Sequence, residues 1–240
     1  MNLILLRPDE LAPTGAGSHR AVLSDRRLVH LREVLRASVG DSIGVGVEGG
    51  ELGRATIVAL DEHAATIEVM LTGPPPPALD VTLALALPRP PTLRKVLQQA
   101  TALGVKRFVL FRAERVEKSY FSSHGLHDHA LAEDLRLGLE QARDTLVPTV
   151  EIRPEHFGRF VRERLPALTE GRTLLLAHPG AVTPCPRSPV GPATLIVGPE
   201  GGFIPAEVAA LAPLARTIDL GPRILRVETA VVALLSRLSP

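Results

Sequence analysis

The sequence predicts an α/β protein in two parts, and three observations carry that expectation. A stiff Gly73-Pro74-Pro75-Pro76-Pro77 run interrupts the 240 residues. Ahead of it, short Val- and Ile-rich runs are separated by turn residues. After it, strand-like runs alternate with helical stripes, the pattern of a mainly parallel sheet covered on both faces. The expected organisation is therefore residues 1–72 as a small β domain, 73–79 as a linker and 80–240 as an α/β domain. With 45% hydrophobic residues and a net charge of +1, a substantial core is available and wholesale disorder is excluded.

In the first part, Leu3–Leu6 is a short apolar strand. Ser24 is positioned to cap a helix whose Leu28, Leu31, Val34 and Leu35 share one face. From Ser42 to Leu71 three runs follow: Ile43, Val45 and Val47; Thr56, Ile57 and Val58; Ile67 and Val69. Gly49-Gly50 and Asp61-Glu62-His63 divide them, which predicts a meander in a small barrel.

In the second part, Val81–Leu87 is a strand. Thr92 is expected to cap a helix with Leu93, Val96, Leu97, Ala100 and Leu103 on one stripe, ended by Gly104. Val105–Phe111 is the next strand. Helices are predicted over 128–145 and 155–165, and a strand over Thr173–Ala177. Thr194–Val197 runs into GPEGGF and a helix from Pro205. A strand over 217–220 and a helix over about 226–238 complete the chain.

Composition excludes several classes. No apolar run approaches the roughly 18 residues of a membrane span. The opening MNLILLRPDE lacks a basic leader and a cleavage site, and Cys185 is the only cysteine, so a cytoplasmic protein without disulfides or a four-thiolate zinc site is expected. The basic residues are 24 Arg and 3 Lys, and Arg is suited to bidentate phosphate contacts. They are unevenly spread: residues 89–118 hold eight basic residues against two acidic ones, a local +6, and residues 19–36 hold five Arg. Two basic segments in a near-neutral chain fit a focused anionic footprint.

Some motifs carry little. Gly44-x-Gly46-x-x-Gly49 matches a dinucleotide fingerprint formally, yet lies in a β-meander with no helix after it, and reads as a turn. His124, His127 and His129 with Asp128 read as a polar loop, and no metal is assigned. There is no G-x-S-x-G elbow, and Cys185 lies between prolines with no helix start to acidify it. The informative loops follow strands in the last third: Gly198-Pro199-Glu200-Gly201-Gly202-Phe203, Leu220–Arg226, and His178-Pro179-Gly180. Such loops, at the carboxyl ends of parallel strands, are where α/β sheets bind ligands, and glycine lets the backbone approach closely. Without a Gly-Lys-Ser/Thr ending, the first is no nucleoside triphosphate loop.

GPEGGF, LGPRILRVETA (Leu220–Ala230) and TLRKVLQQATALGVKR (Thr92–Arg107) resemble the RsmE family. Its members are bacterial methyltransferases of the SPOUT superfamily that act on N3 of a uridine in 16S ribosomal RNA. His30-x-x-x-Val34-Leu35-Arg36-x-x-x-Gly40-Asp41 is similar to the same family, so the likeness spans nearly the whole chain. Two segments depart from it. Arg89-Pro90-Pro91-Thr92-Leu93 replaces a Lys-Gly-Asp-Lys-Met-like stretch. Glu140–Pro148 replaces E-Q-S-G-R-x-x-V-P, with the arginine displaced by one position and the glycine gone.

The resemblance implies an N-terminal PUA-like β-barrel that docks RNA, a parallel-sheet domain threaded as a trefoil knot, bound S-adenosylmethionine and a homodimer. It assigns the cofactor to Leu176, His178, Gly198, Glu200, Gly201, Gly202, Leu220, Gly221, Leu225, Glu228 and Thr229. Arg226 is expected to orient the target uracil or phosphate and to stabilise the developing imide anion. Glu200, also assigned to catalysis, either holds its loop or contacts the cofactor. Arg20, His30, Arg32, Arg36, Arg89, Arg112, Arg115 and Arg143 are the expected RNA contacts, on the small ribosomal subunit. The rival readings are a SPOUT enzyme acting on another base or a ribose 2′-hydroxyl, and a non-catalytic RNA-binding dimer; intact glycine loops weigh against the latter.

Overall fold

A computed structural model describes residues 2–15, 17–188 and 191–240, so Met1 of the expected first domain lies outside the described residues. Its contacts fall into two units: residues 1–77 together with Arg136–Val147, and Ala78–Leu135 together with Pro148–Pro240.

The first unit carries β1 (Ile4–Leu6), β2 (Ala12–Gly15), β3 (Ser18–Leu23), β4 (Ser42–Val47), β5 (Leu52–Leu60) and β6 (Ala65–Gly73). Among the described residues they form one sheet in the order β1-β4-β5-β6-β3-β2. β1 runs parallel to β4, and the remaining pairs are antiparallel. The expected meander is β4-β5-β6. Hydrogen bonding leaves β1 and β2 as opposite edges, so the sheet is open; β2 pairs only with β3 and holds Pro13 and a register shift, both features of an edge. Alternate residues point inward, as the period of two requires: Ala21 and Leu23, Ile43 and Val45, Ala55 and Ile57, Ala65, Ile67 and Val69 make one buried cluster.

Leu28 and Leu31 join that cluster from α1 (Arg26–Val29), which continues as a π-helical turn through His30–Val34. The cap is Asp25, not Ser24: its side chain accepts the Arg27 N–H at 2.8 Å. The predicted stripe also breaks. Val34 is 67% and Leu35 49% exposed, because the wider turn rotates them off the 3.6-residue face. Arg27 is buried, donating to both carboxylate oxygens of Glu10, to Asp25 and to the Leu5 carbonyl. The bonds from Arg27 hold Glu10 below the usual carboxylate range.

The second half of α3 (Asp128–Ala142) belongs to this unit. Leu139 is buried with Leu3 and Leu5, and Glu140, also buried, receives a bidentate pair from Arg26 at 2.9 and 2.8 Å. The helix stops at Ala142, three residues before the expected end. Arg143 takes φ +55°, and the Asp144 N–H returns to the Leu139 carbonyl at 3.0 Å, a Schellman closure with arginine where glycine is favoured. Thr145 then lies on the β4–β5 hairpin: its carbonyl accepts the Gly49 N–H at 2.8 Å, and a Cβ on Gly46 would stand 2.5 Å from its Cγ2. Gly44 and Gly46 therefore lie within β4, and only Gly49, at φ +72°, turns the chain.

The second unit carries β7 (Leu79–Ala86), α2 (Pro90–Ala102), β8 (Val105–Phe111), β9 (Thr149–Arg153), α4 (Phe157–Glu163), α5 (Leu165–Thr169), β10 (Thr173–Ala177), β11 (Ala193–Val197), α6 (Pro205–Leu211), β12 (Arg216–Ile218) and α7 (Val227–Leu238), besides the start of α3. Its sheet runs β12-β10-β11-β7-β8-β9 with all pairs parallel, as the alternation of strands and helices predicts. Burial on both faces explains the near-continuous apolar character of β7 and β11. The α2 stripe is buried as expected, but Pro90 and Pro91 start the helix two residues before Thr92, which lies inside it. The helix expected over 155–165 is α4, two residues shorter at each end, and α5, with Pro166 in its first turn, is a further short helix after it. The sequence pattern gives no sign of β2, β3, β9 or α5.

Arg26→Ala leaves the buried Glu140 carboxylate without its bidentate partner and costs on the order of 2–3 kcal/mol in urea denaturation, the partial exposure of Arg26 reducing the full penalty. Arg143→Gly relieves the left-handed conformation and raises stability by about 1 kcal/mol in the same assay.

Candidate cofactor and substrate site

Parallel pairing brings the ends of β10, β11, β12 and β7 to one edge of the second unit's sheet. The loops leaving β10, β11 and β12, with one face of α2 and the start of α7, enclose a cavity of about 830 Å³. That volume is in the range of a small-molecule site.

The Gly198–Phe203 loop after β11 is shaped by its own sequence. The Gly202 N–H closes a turn on the Pro199 carbonyl at 2.8 Å, and Gly202 holds φ +68°, which costs glycine little. A Cβ on Gly198 would meet the Phe203 ring at 3.2 Å. That ring lies buried beside Phe111, with centroids 6.3 Å apart, and Phe111 stacks on Phe160 at 4.5 Å. Glu200 accepts the Arg89 N–H at 3.1 Å, joining the loop to the turn between β7 and α2.

The chain leaving β12 is held on both edges. The Ile218 carbonyl accepts the His178 N–H at 3.0 Å from the β10 side. Asp219, facing the other way, donates to Thr183 at 2.9 Å and accepts from Cys185 at 2.7 Å. The connection from β10 to β11 thus doubles back beside β12. Burial pushes the Cys185 thiol up, which suits an inert packing residue. Gly221, at φ +119°, then turns the chain toward Arg226, the residue that precedes α7.

Of the expected cofactor residues, His178, Gly198, Glu200, Gly201, Gly202, Leu220, Leu225 and Glu228 line the cavity, as does Arg226. Leu176 does not: it is fully buried within β10, so its side chain packs the sheet. Gly221 supplies the turn, and Thr229 faces solvent on α7. Among the expected RNA contacts, Arg89 lines the cavity, and Arg115 donates to the Gly201 carbonyl. Arg112 is half-buried just after β8. Arg20, His30, Arg32, Arg36 and Arg143 belong to the first unit, where Arg20 pairs with Glu68 across β3 and β6 at 2.9 Å and Arg32 donates to the Glu62 carbonyl.

Sequence reasoning missed Thr92 and Lys95. With Arg89 they recur every three residues along the polar side of α2, a spacing visible in the sequence, and all three line the cavity. Lys95 Nζ stands 3.4 Å from Glu228 Oε1. Glu228 is held below the usual carboxylate range, chiefly by its own backbone N–H at the helix start and further by Lys95. The cavity walls therefore combine four cationic side chains, Arg89, Lys95, Arg223 and Arg226, with carboxylates already engaged by N–H groups. Such a site tolerates a developing negative charge. The three histidines gather, with His124 and His129 Nε2 atoms 3.2 Å apart, but among the described residues no group suited to holding a metal is found.

Gly202→Ala puts a β-carbon on a left-handed residue and costs about 1 kcal/mol in urea denaturation, whatever space surrounds it.

Comparison with known proteins bears on this geometry. Ribosomal RNA small subunit methyltransferase E of Treponema pallidum is 28% identical over 241 residues, covering 97% of this chain and 88% of that protein. Its counterpart in Mycobacterium bovis is 28% identical over 245 residues, covering 98% and 90%. The crystal structure of ribosomal RNA small subunit methyltransferase E from Neisseria gonorrhoeae bound to S-adenosylmethionine superposes with a TM-score of 0.71 at 21% identity, over 98% of this chain and 95% of that one, and so shares the fold. The sequence model of the RNA methyltransferase domain matches residues 75–239, which include every strand and helix lining the cavity, and the chain belongs to that family.

Proposed function

We propose that this protein transfers the methyl group of S-adenosylmethionine to N3 of a specific uridine in the 16S RNA of the small ribosomal subunit. The observation that carries this reading is the single cavity in which the loops after β10, β11 and β12 meet the cationic residues of α2 and the Arg226 turn. Membership of the RNA methyltransferase domain family and relatives named for the small-subunit RNA support it.

The residues present fit the cofactor. Nothing lies within 4 Å of where a Cβ of Gly202 or Gly221 would stand, so the backbone there is open to a close ligand. Leu220 and Leu225 give apolar walls for an adenine, and the three loops give backbone partners. When bound, S-adenosylmethionine supplies a methyl group made electrophilic by its sulfonium. The protein's own work is alignment and charge stabilisation. Uracil N3 must lose its proton, to solvent water, before it attacks, and Arg226, with Lys95 and Arg89 also lining the cavity, stabilises the imide anion that results. Glu200, bonded to the Arg89 N–H, holds its loop in place.

We further infer that the first unit is an open, PUA-like RNA-docking sheet presenting Arg20, Arg32 and Arg36, whereas His30 has its Nε2 buried, and that the α/β domain is threaded as a trefoil knot. The return of Thr183–Cys185 beside Asp219 supports that threading. Ile224 and Leu225 line the cavity yet are 80% and 38% exposed, which supports a homodimer whose second copy covers that apolar edge. No described helix is long and apolar enough to cross a membrane, in keeping with a cytoplasmic enzyme.

The decisive experiment deletes the gene and maps lost base modifications in 16S RNA. One missing N3-methyluridine restored by the cloned gene is the expected outcome, and an unchanged modification map overturns the reading. In the purified protein, Arg226→Ala should abolish methyl transfer while calorimetry still detects S-adenosylmethionine binding; retained activity removes Arg226 from catalysis.

A further inference from the structure

We propose that Arg115, together with Glu207, is a positioning residue that fixes the Gly198–Phe203 loop, so its effect is on cofactor binding and not on RNA affinity. The proposal rests on reading that loop as the S-adenosylmethionine cradle.

Arg115 lies in the most basic stretch of the chain, and by charge alone it belongs with the RNA contacts. Its side chain is engaged elsewhere. The guanidinium donates to the Gly201 carbonyl. Its aliphatic part lies along the loop: a Cβ on Gly201 would stand 3.2 Å from Arg115 Cδ and 3.4 Å from its Cβ. Gly201 therefore lacks a side chain where the Arg115 stem passes, a reason for glycine that has nothing to do with a ligand.

The preceding residue grips the other end of the same segment. Glu207, buried on α6, accepts the Glu114 N–H at 2.8 Å with one carboxylate oxygen and the Ile204 N–H at 3.1 Å with the other. Arg115 thus reaches Gly201 directly and Glu114 is linked to Ile204 through the Glu207 carboxylate, on either side of the positive-φ Gly202. A loop with three glycines has many backbone conformations available, and external bonds are what select one. The bond from Arg115 to the Gly201 carbonyl is charge-assisted, as are the carboxylate bonds of Glu207 and Glu200, and it is the one that reaches the residue beside Gly202 directly.

The test uses Arg115→Met, which keeps the stem packed on Gly201 and removes the guanidinium, and Arg115→Lys, which restores a charge. Four quantities are measured on the full-length protein: the Kd for S-adenosylmethionine, amide exchange of residues 199–204 without cofactor, affinity for a small-subunit RNA fragment, and kcat at saturating cofactor. For Arg115→Met the expected result is a Kd raised about tenfold or more. Loop exchange should be faster, RNA affinity within about twofold of wild type and kcat little changed, with Arg115→Lys recovering part of the Kd. Weakened RNA binding with unchanged Kd and loop exchange overturns the proposal and returns Arg115 to the RNA surface. If the wild-type protein binds no S-adenosylmethionine while Arg115→Met still speeds loop exchange, the methyl-transfer reading fails and the brace stands.

Discussion

Parallel strands cannot be joined by tight hairpins, so each connection in the second unit crosses over the sheet and enters the next strand in the same direction. β7, β10, β11 and β12 consequently end at one edge, and four separate stretches of chain are delivered to one cavity without any of them being adjacent in sequence. Everything at the site depends on that alignment. A loop containing Gly198, Gly201 and Gly202 has no pose of its own; Phe203, packed on Phe111 and Phe157, anchors its end, and the bonds from Arg115 and Glu207 fix the rest.

The charges follow a related logic. A net charge of +1 hides arginines that hold the protein together. Arg26 satisfies the buried Glu140, Arg27 binds Glu10 and Asp25, and Arg107 and Arg153 share Glu151. The planar guanidinium suits this use, since it can meet both oxygens of a carboxylate or several acceptors at once. Local basicity in the sequence is therefore an upper bound on what reaches a ligand. The five arginines of residues 19–36 include two directed inward, and Arg115 is directed at a neighbouring loop.

Several features were legible beforehand because they depend on short-range patterns. Apolar spacing marked the α2 stripe and the β4–β6 meander. The glycine-rich loops after strands marked most of the cavity, from His178 through Gly198–Gly202 to Leu225–Glu228. Other features depended on partners far along the chain. Leu176 resembles a pocket residue only until the register of β10 buries it, and Thr92 resembles a cap until Pro90 and Pro91 start the helix ahead of it. β3 escaped notice because Ser18, His19 and Arg20 are polar, and their extended conformation is dictated by pairing with β6.

The sequence by itself determined the α/β class, the change of pattern at the proline run and most of the loops that line the cavity, since periodicity, turn chemistry and contiguous motifs are local properties. Only the tertiary structure decided which side chains those loops meet. Gly44-x-Gly46-x-x-Gly49 is spaced like a phosphate-binding turn, yet Gly46 is small because Thr145 lies on it, ninety-nine residues later. Lys95 joins the cavity because α2 faces α7, and no spacing in the chain records which helix another will face. Close packing between segments distant in sequence assigns such roles, and it exists only once the chain has folded.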